Sequence, residues 1–215
     1  MIRLFHRTDC PFCWKVRIAL FELGVPVEET VLALGEKSRE VRDLNPNNSV
    51  PVMITDKDTV IWESAAMVEY VAERFGAGRL FEGSAEDRAR IRQLHIFSDN
   101  RVGKAVFPIV RERRNNPGRE VPEELLRRIT AEWTGCLSVL ERELRDREFF
   151  GGESFSAADC ALMPRFTLAE VYGLPVPDTF PKAADWYRRT SRRASVIQAR
   201  PDKFPGVNDL VKSAE

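Results

Sequence analysis

The chain has 215 residues, and its 33 Lys and Arg balance 33 Asp and Glu, so the formal net charge is zero at pH 7. That balance removes the electrostatic footprint of a general nucleic-acid or membrane-surface binder, and with neither a secretory h-region nor a long uncharged apolar run the expectation is a soluble, cytoplasmic protein. Four cysteines in a reducing compartment are not a disulfide framework, and a chain of this length can bury a core without one.

Ile2, Leu4 and His6 alternate with Arg3, Phe5 and Arg7, the period of a strand. The strand runs into Thr8-Asp9-Cys10-Pro11-Phe12-Cys13-Trp14, after which Cys13, Val16, Ala19, Leu20 and Leu23 recur at helical spacing until Gly24 stops the helix. Pro11 suits the first helical position because it has no N–H to leave unpaired. Cys10 therefore stands at the mouth of a helix, where free backbone N–H groups and the positive end of the macrodipole favour an anion and lower a thiol's pKa from its usual value of roughly 8.5. Cys13, one turn on, is placed to resolve a mixed disulfide formed at Cys10. A metal corner or plain core packing is the alternative for such a pair. Zinc needs two further ligands, and Cys136 and Cys160 stand alone in later helical patterns, so no metal is expected. Arg7 and Lys15 are close enough in sequence to favour a thiolate or to be ordinary solvated charges. His6 reads as a structural residue at a strand end.

Residues 25–34 read as a second strand and 37–44 as a short helix, so a parallel strand–helix–strand unit is expected. After the turn residues Asn47, Asn48 and Ser49, residues 52–54 and 59–61 flank Asp56-Lys57-Asp58 as a hairpin, with Pro51 at a position where a cis peptide is common. Glu63 and Ser64 then open a helix carrying Ala65, Val68, Val71 and Phe75.

This order of elements, with Cys-Pro-Phe-Cys, Ser-Val-Pro and Glu-Ser at their junctions, resembles the N-terminal thioredoxin-like domain of the glutathione transferase superfamily over about residues 1–76. The resemblance implies an α/β thioredoxin-like domain at 1–76, a Gly-rich linker at 77–84 and an all-helical domain at 85–215. It implies glutathione as cosubstrate, with Phe12, Val50, Pro51, Glu63 and Ser64 binding it. Val50, before the proline, would hold its cysteinyl backbone, and the acidic-Ser pair its γ-glutamyl end, whose ammonium wants a carboxylate and whose carboxylate wants hydroxyl and N–H donors. A homodimer is implied on the same footing.

In the second half, 85–115 reads as one long helix bent or broken near Pro108, followed by the turn Asn115-Asn116-Pro117-Gly118. Leu126, Ile129, Trp133, Leu137, Leu140 and Leu144 mark another helix, with Cys136 beside the stripe as core. Ser156 and Asp159 form a capping-box variant with Phe155 and Cys160 placed as its staple, which resembles the motif opening the buried helix of the transferase helical domain. Residues 181–199 give a last helix, and the tail from Pro201 is expected to lie on the surface.

Cysteine in place of the Ser or Tyr of the common transferase classes resembles the omega-type enzymes, and a cysteine pair resembles the two-domain bacterial glutaredoxins. The leading expectation is a glutathione-dependent thioltransferase in which Cys10 attacks a disulfide. The same thiolate would serve dehydroascorbate reduction or reductive dehalogenation. Conjugation of glutathione to an electrophile is the second enzyme reading, with Phe97, Arg101, Lys104 and Val106 near its second-substrate site. Asn45 to Pro51 and Trp62-Glu63-Ser64 also resemble the stringent-starvation proteins, non-catalytic transcription partners without the cysteine. A chloride-channel-like membrane insertion meets a first helix too short and too charged to span a bilayer.

Overall fold

A computed structural model describes residues 1–36 and 38–207. Lys37, the expected start of the short helix, and tail residues 208–215 lie outside that range. The first half contains β1 (Ile2–His6), α1 (Pro11–Glu22), β2 (Val27–Val31), α2 (Arg39–Leu44), β3 (Val52–Ile54), β4 (Val60–Trp62) and α3 (Ser64–Phe75). The strands form one mixed sheet in the order β2-β1-β3-β4, with β1 parallel to β2 and antiparallel to β3. The second half is helical: α4 (Ala85–Phe97), α5 (Gly103–Asn115), α6 (Glu123–Leu144), α7 (Ala157–Val171), α8 (Pro181–Thr190) and α9 (Ala194–Ala199). This is the expected thioredoxin-like α/β layer joined to an all-helical one.

Helix α1 is the seam of the molecule. It packs against α3 on one side and against α7 and α9 on the other, and every residue from Cys13 to Leu20 is buried. The one-sided stripe read from the sequence was therefore too narrow, and Lys15, Arg17 and Glu22 are not solvated charges. Each has a partner: Lys15 with Asp99 and Glu22 with Arg193 at 2.5 Å across the seam, and Arg17 with Glu29 of β2 at 2.5 Å. Burying a charge is tolerable only when it is paired in this way. Helix α7 is buried from Ala157 to Ala169, its charged Asp159 and Arg165 included, as the resemblance of its capping box implied.

Three expectations for the helical half are corrected. The long helix does not break at Pro108, which sits inside α5. It is interrupted earlier by a π-helical turn, Ser98–Val102, where the buried Ser98 hydroxyl donates to the Ala161 carbonyl at 2.8 Å and pins the wider turn to α7. The expected last helix is two, α8 and α9, separated at Ser191–Arg193 where Arg193 turns back to bond Glu22. The tail does not begin on the surface: Phe204 is buried against Trp14, ring centroids 6.3 Å apart, and the Pro205 carbonyl accepts from Tyr172 Oη at 2.7 Å. Segment 76–84, between α3 and α4, is anchored rather than free. Leu80 and Phe81 are buried in the core, the Leu80 carbonyl accepts from Ala157 N at 3.0 Å, and Ser84 caps α4 with Asp87 in a capping box.

Candidate active site

Strand register brings the sequence-picked residues to one end of the sheet. Phe5 of β1 lies opposite Val52 of β3, and Val52 lies opposite Trp62 of β4. Val50-Pro51 thus stands beside the end of β1 that leads into the Cys10 loop, and Glu63-Ser64 continues from β4 at the same end. The Val50–Pro51 peptide is cis. The loop before it is shaped by Asn45, which the sequence reading named only as the start of a resembling stretch. Buried Asn45 donates to the Ser49 carbonyl at 2.7 Å and accepts from Asn47 N at 2.9 Å, closing the loop on itself. Glu63 occupies the left-handed region, φ 72°, a strained setting for a residue with a Cβ, and its carboxylate accepts from Asn47 Nδ2 at 3.1 Å. Ser64, buried, is the first residue of α3.

Cys10 is the N-cap of α1 with Pro11 at its first position, as the sequence required, and it is half-buried and free. Its thiol is pulled down to about 6. The largest cause is a hydrogen bond with the Cys13 side chain, helped by the backbone N–H groups of Cys13 and Phe12 and by the charge of Arg7, against the opposing effect of burial. Cys13 moves the other way: it is fully buried, and desolvation first and the neighbouring Cys10 second push its thiol well above the ordinary range. One proton is shared out so that Cys10 ionises and Cys13 keeps it. Arg7 is the leading cationic influence on Cys10, and the charges of Lys15 and Arg165, both bonded to Asp99, also interact with it. Lys15 is 1% exposed and turned to the seam, and His6 is buried with Nε2 3.1 Å from Glu29, away from any reacting group.

Cys10 opens on a cleft of about 630 Å³ between the α/β layer and α5. Two carboxylates organise its walls. Asp9 is held by both Nε and Nη2 of Arg7, at 3.0 and 2.8 Å, and by Arg114 of α5 at 3.0 Å. Asp99, on the π-helical turn, accepts from Lys15 Nζ at 2.5 Å and from Arg165 Nη2 at 3.3 Å. Lys15 Nζ also lies 2.8 Å from Nε2 of His95, whose pKa burial and the Lys15 charge push down to about 3, so the ring is neutral and can accept. The Arg165 guanidinium stacks over the Phe12 ring at 4.5 Å and lies against Gly103, where a Cβ would come within 3.1 Å of it. Asp9, Asp99, Arg114 and Arg165 were given no role from the sequence: Asp9 lies beside Cys10 in the same loop, while Asp99, Arg114 and Arg165 are brought to the cleft by packing between elements far apart in the chain. Of the four residues expected near the second-substrate site, Lys104 lines the cleft, whereas Val106 is core, Phe97 packs on the core and Arg101 faces Glu132 outside it. Phe107, Pro108 and Arg111 line it instead.

Asp99→Asn is expected to destabilise the fold by about 3 kcal/mol or more at pH 7, because it leaves the Lys15 and Arg165 cations facing each other with one neutral acceptor. Burial holds the Lys15 ammonium below the ordinary lysine range, so in that window the native state binds fewer protons than the unfolded chain and stability rises with pH. The loss in Asp99→Asn should therefore shrink between pH 7 and 10. Urea titrations across that range check it, and a pH-independent loss would show that Lys15 is not the stranded charge.

A cysteine-bearing helix start beside a cis-proline loop, on a thioredoxin-like layer with a helical domain closing one side of the cleft, defines an architectural class. Comparison with known proteins agrees. The glutathione S-transferase N-terminal domain family matches residues 4–79, and the glutathione S-transferase C-terminal domain family matches residues 97–194. Dichloromethane dehalogenase of Methylorubrum extorquens is 30% identical over 227 residues, spanning 97% of this chain and 77% of that protein. The probable glutathione S-transferase parC of Nicotiana tabacum is 32% identical over 208 residues, 94% of this chain and 89% of that one. The solved structure of glutathione transferase URE2P6 from Phanerochaete chrysosporium in complex with oxidized glutathione superposes with a TM-score of 0.79 at 25% identity, covering 92% of this chain and 94% of its own. The chain belongs to the glutathione S-transferase family.

Proposed function

We propose that the protein is a cysteine-type member of the family and acts as a glutathione-dependent thiol–disulfide oxidoreductase. The observation that carries this reading is the half-buried Cys10 at the helix mouth on the cleft, its thiol pulled down to about 6, with the buried Cys13 beneath it. In this mechanism Cys10 Sγ attacks the glutathionyl sulfur of a mixed disulfide GS–SR. The S–S bond breaks and RS⁻ leaves with its electron pair, giving Cys10–S–SG. A second glutathione thiolate attacks the glutathionyl sulfur of that adduct, releasing oxidised glutathione and regenerating the Cys10 thiolate. Cys13 is shielded from outside thiols, so its one accessible target is the Cys10 sulfur. Once Cys10 is capped, its negative charge no longer opposes ionisation of Cys13, which supports intramolecular resolution as a second exit.

Glutathione is assigned to the sheet end that gathers Val50, Pro51, Glu63 and Ser64, with Phe12 at the helix start. Glu63 supplies a carboxylate for the γ-glutamyl ammonium. The Ser64 hydroxyl and the first-turn N–H groups of α3 suit its carboxylate. The glutathione-bound neighbour supports glutathione as the cosubstrate. Conjugation to an electrophile would use the same cleft, and there the thiolate of Cys10 would compete with that of glutathione rather than assist it.

The test is intact mass after exposure to oxidised glutathione. Cys13→Ser is expected to accumulate a single glutathione adduct, wild type to show it transiently, and Cys10→Ser to show none. An adduct on Cys10→Ser, or none on any of the three, would overturn the assignment of Cys10 as nucleophile and return conjugation and a non-catalytic partner role to the front.

A further inference from the structure

The cleft that receives the leaving thiol has a composition of its own. Its walls are mostly apolar, built from Phe12, Leu34, Phe107 and Pro108, and Phe107 is 55% exposed although it lies in the middle of a helix. Its charged lining is unbalanced: five cations, Arg7, Lys104, Arg111, Arg114 and Arg165, against two carboxylates, Asp9 and Asp99. Three of those cations are already committed, Arg7 and Arg114 to Asp9 and Arg165 to Asp99. Lys104 and Arg111 are exposed and make no hydrogen bond or ion pair among the described residues.

Lys104, Phe107 and Arg111 follow one another at helical spacing on the face of α5 that lines the cleft, so the two unpaired cations stand roughly 10 Å apart along the helix with an aromatic ring between them. Neither belongs to the sheet end assigned to glutathione. An apolar body laid on Phe107 and Pro108 would bring a negative end within reach of one cation, whereas a positively charged one would meet two like charges.

We propose that the second substrate of this site is an amphipathic anion: a thiol or electrophile with an aryl or long alkyl body and a carboxylate or sulfonate remote from the reacting sulfur. Lys104 and Arg111 set this specificity, and Phe107 carries the body. The inference rests on the reading of the cleft as the receiving side of a glutathione-handling site.

The probes are the mixed disulfides of glutathione with 3-(4-mercaptophenyl)propanoic acid and with its amide, which share a leaving thiol and differ in a charge insulated from it. In wild type at low ionic strength, kcat/KM for the acid is expected to exceed that for the amide by roughly five- to tenfold. The ratio should fall toward one in high salt, and also in Lys104→Ala/Arg111→Ala. A ratio near one in wild type, or one unchanged in the double variant, overturns the proposal. So does a double variant whose defect is a raised KM for glutathione, absent with the glycyl ester of glutathione, because the cations would then serve glutathione's own carboxylate. A second arm needs no turnover: the thioethers S-[4-(2-carboxyethyl)benzyl]glutathione and its amide are titrated calorimetrically into Cys10→Ser. Tighter binding of the acid by a similar factor, with no turnover of either disulfide by wild type, would refute thiol transfer and sustain the anion specificity. Equal binding would refute the specificity whatever the chemistry.

Discussion

Cys10→Ser is expected to lower glutathione-dependent disulfide reduction by roughly 10³-fold or more, to the level of the uncatalysed exchange. A serine hydroxyl at the same helix mouth receives the same N–H groups but stays protonated at every working pH, so the nucleophile is gone while the fold keeps its shape. The wild-type pH dependence supplies the companion result. With the Cys10 thiol held at about 6, roughly nine-tenths of it is thiolate at pH 7, against a few per cent for an ordinary cysteine. The rate of adduct formation should therefore rise from pH 4, reach half its maximum near 6 and be level by 8. Cys13→Ser should shift that midpoint only modestly, because a hydroxyl at 13 can still donate to the Cys10 sulfur. Cys13→Ala removes the donor and should move the midpoint upward. Stopped-flow adduct formation with a mixed disulfide reads all of this. A midpoint that stays near 6 in Cys13→Ala would mean the helix mouth and Arg7 lower the pKa without Cys13.

What the sequence revealed of this site was what is written locally. A proline at the first helical position after a cysteine fixes Cys10 as N-cap, and the alternation of Ile2, Leu4 and His6 fixes the strand before it. The strand pairing then carries Val50, Pro51, Glu63 and Ser64 to the same end with no further information. The capping box of α7 was legible for the same reason, since its partners are three residues apart. The charged lining of the cleft was not. Lys15 reads as a surface lysine until Asp99, 84 residues later, is folded against it, and the phase of α5 depends on the π-helical turn that an ordinary helical count does not anticipate. Among the residues expected near the second-substrate site, which the sequence left unranked for want of helix phase, Lys104 faces the cleft beside Phe107 and Arg111, while Val106 turns into the core. Tertiary pairing and helix phase, the two things periodicity cannot carry, account for the omissions.

Asp159→Ala is expected to destabilise the protein by about 4–6 kcal/mol, more than any other single side-chain truncation considered. Asp159 has no exposed surface and its carboxylate accepts four hydrogen bonds: from Phe150 N at 3.0 Å, Ser156 N at 2.9 Å, Ser156 Oγ at 2.6 Å and Trp186 Nε1 at 2.8 Å. Burial pushes its pKa up, and these four donors are what oppose that cost. Alanine strands all four. The Ser156 hydroxyl can rotate to another partner, but the two backbone N–H groups and the indole N–H are fixed, the last by the packing of Trp186 against Phe150 and Phe166 at 4.8 and 4.9 Å. Asp159→Asn keeps the volume and one carbonyl acceptor while turning an amide donor toward donors, so it should lose about half as much. Since whole domains are stable by only about 5–15 kcal/mol, Asp159→Ala should be largely unfolded at 37 °C, and urea titration at 10–15 °C is the setting in which its loss can be measured. The first turn of α7 also meets segment 76–84 through Ala157 N and the Leu80 carbonyl, and Arg165 lies two turns further along the same helix. Fraying of that turn should therefore slow Cys10 adduct formation only in proportion to the unfolded fraction. A folded Asp159→Ala with a slowed Cys10 would instead show that the cap reaches the site through α7 and Arg165. Full stability in Asp159→Ala would mean the four donors find acceptors that the native packing does not offer them.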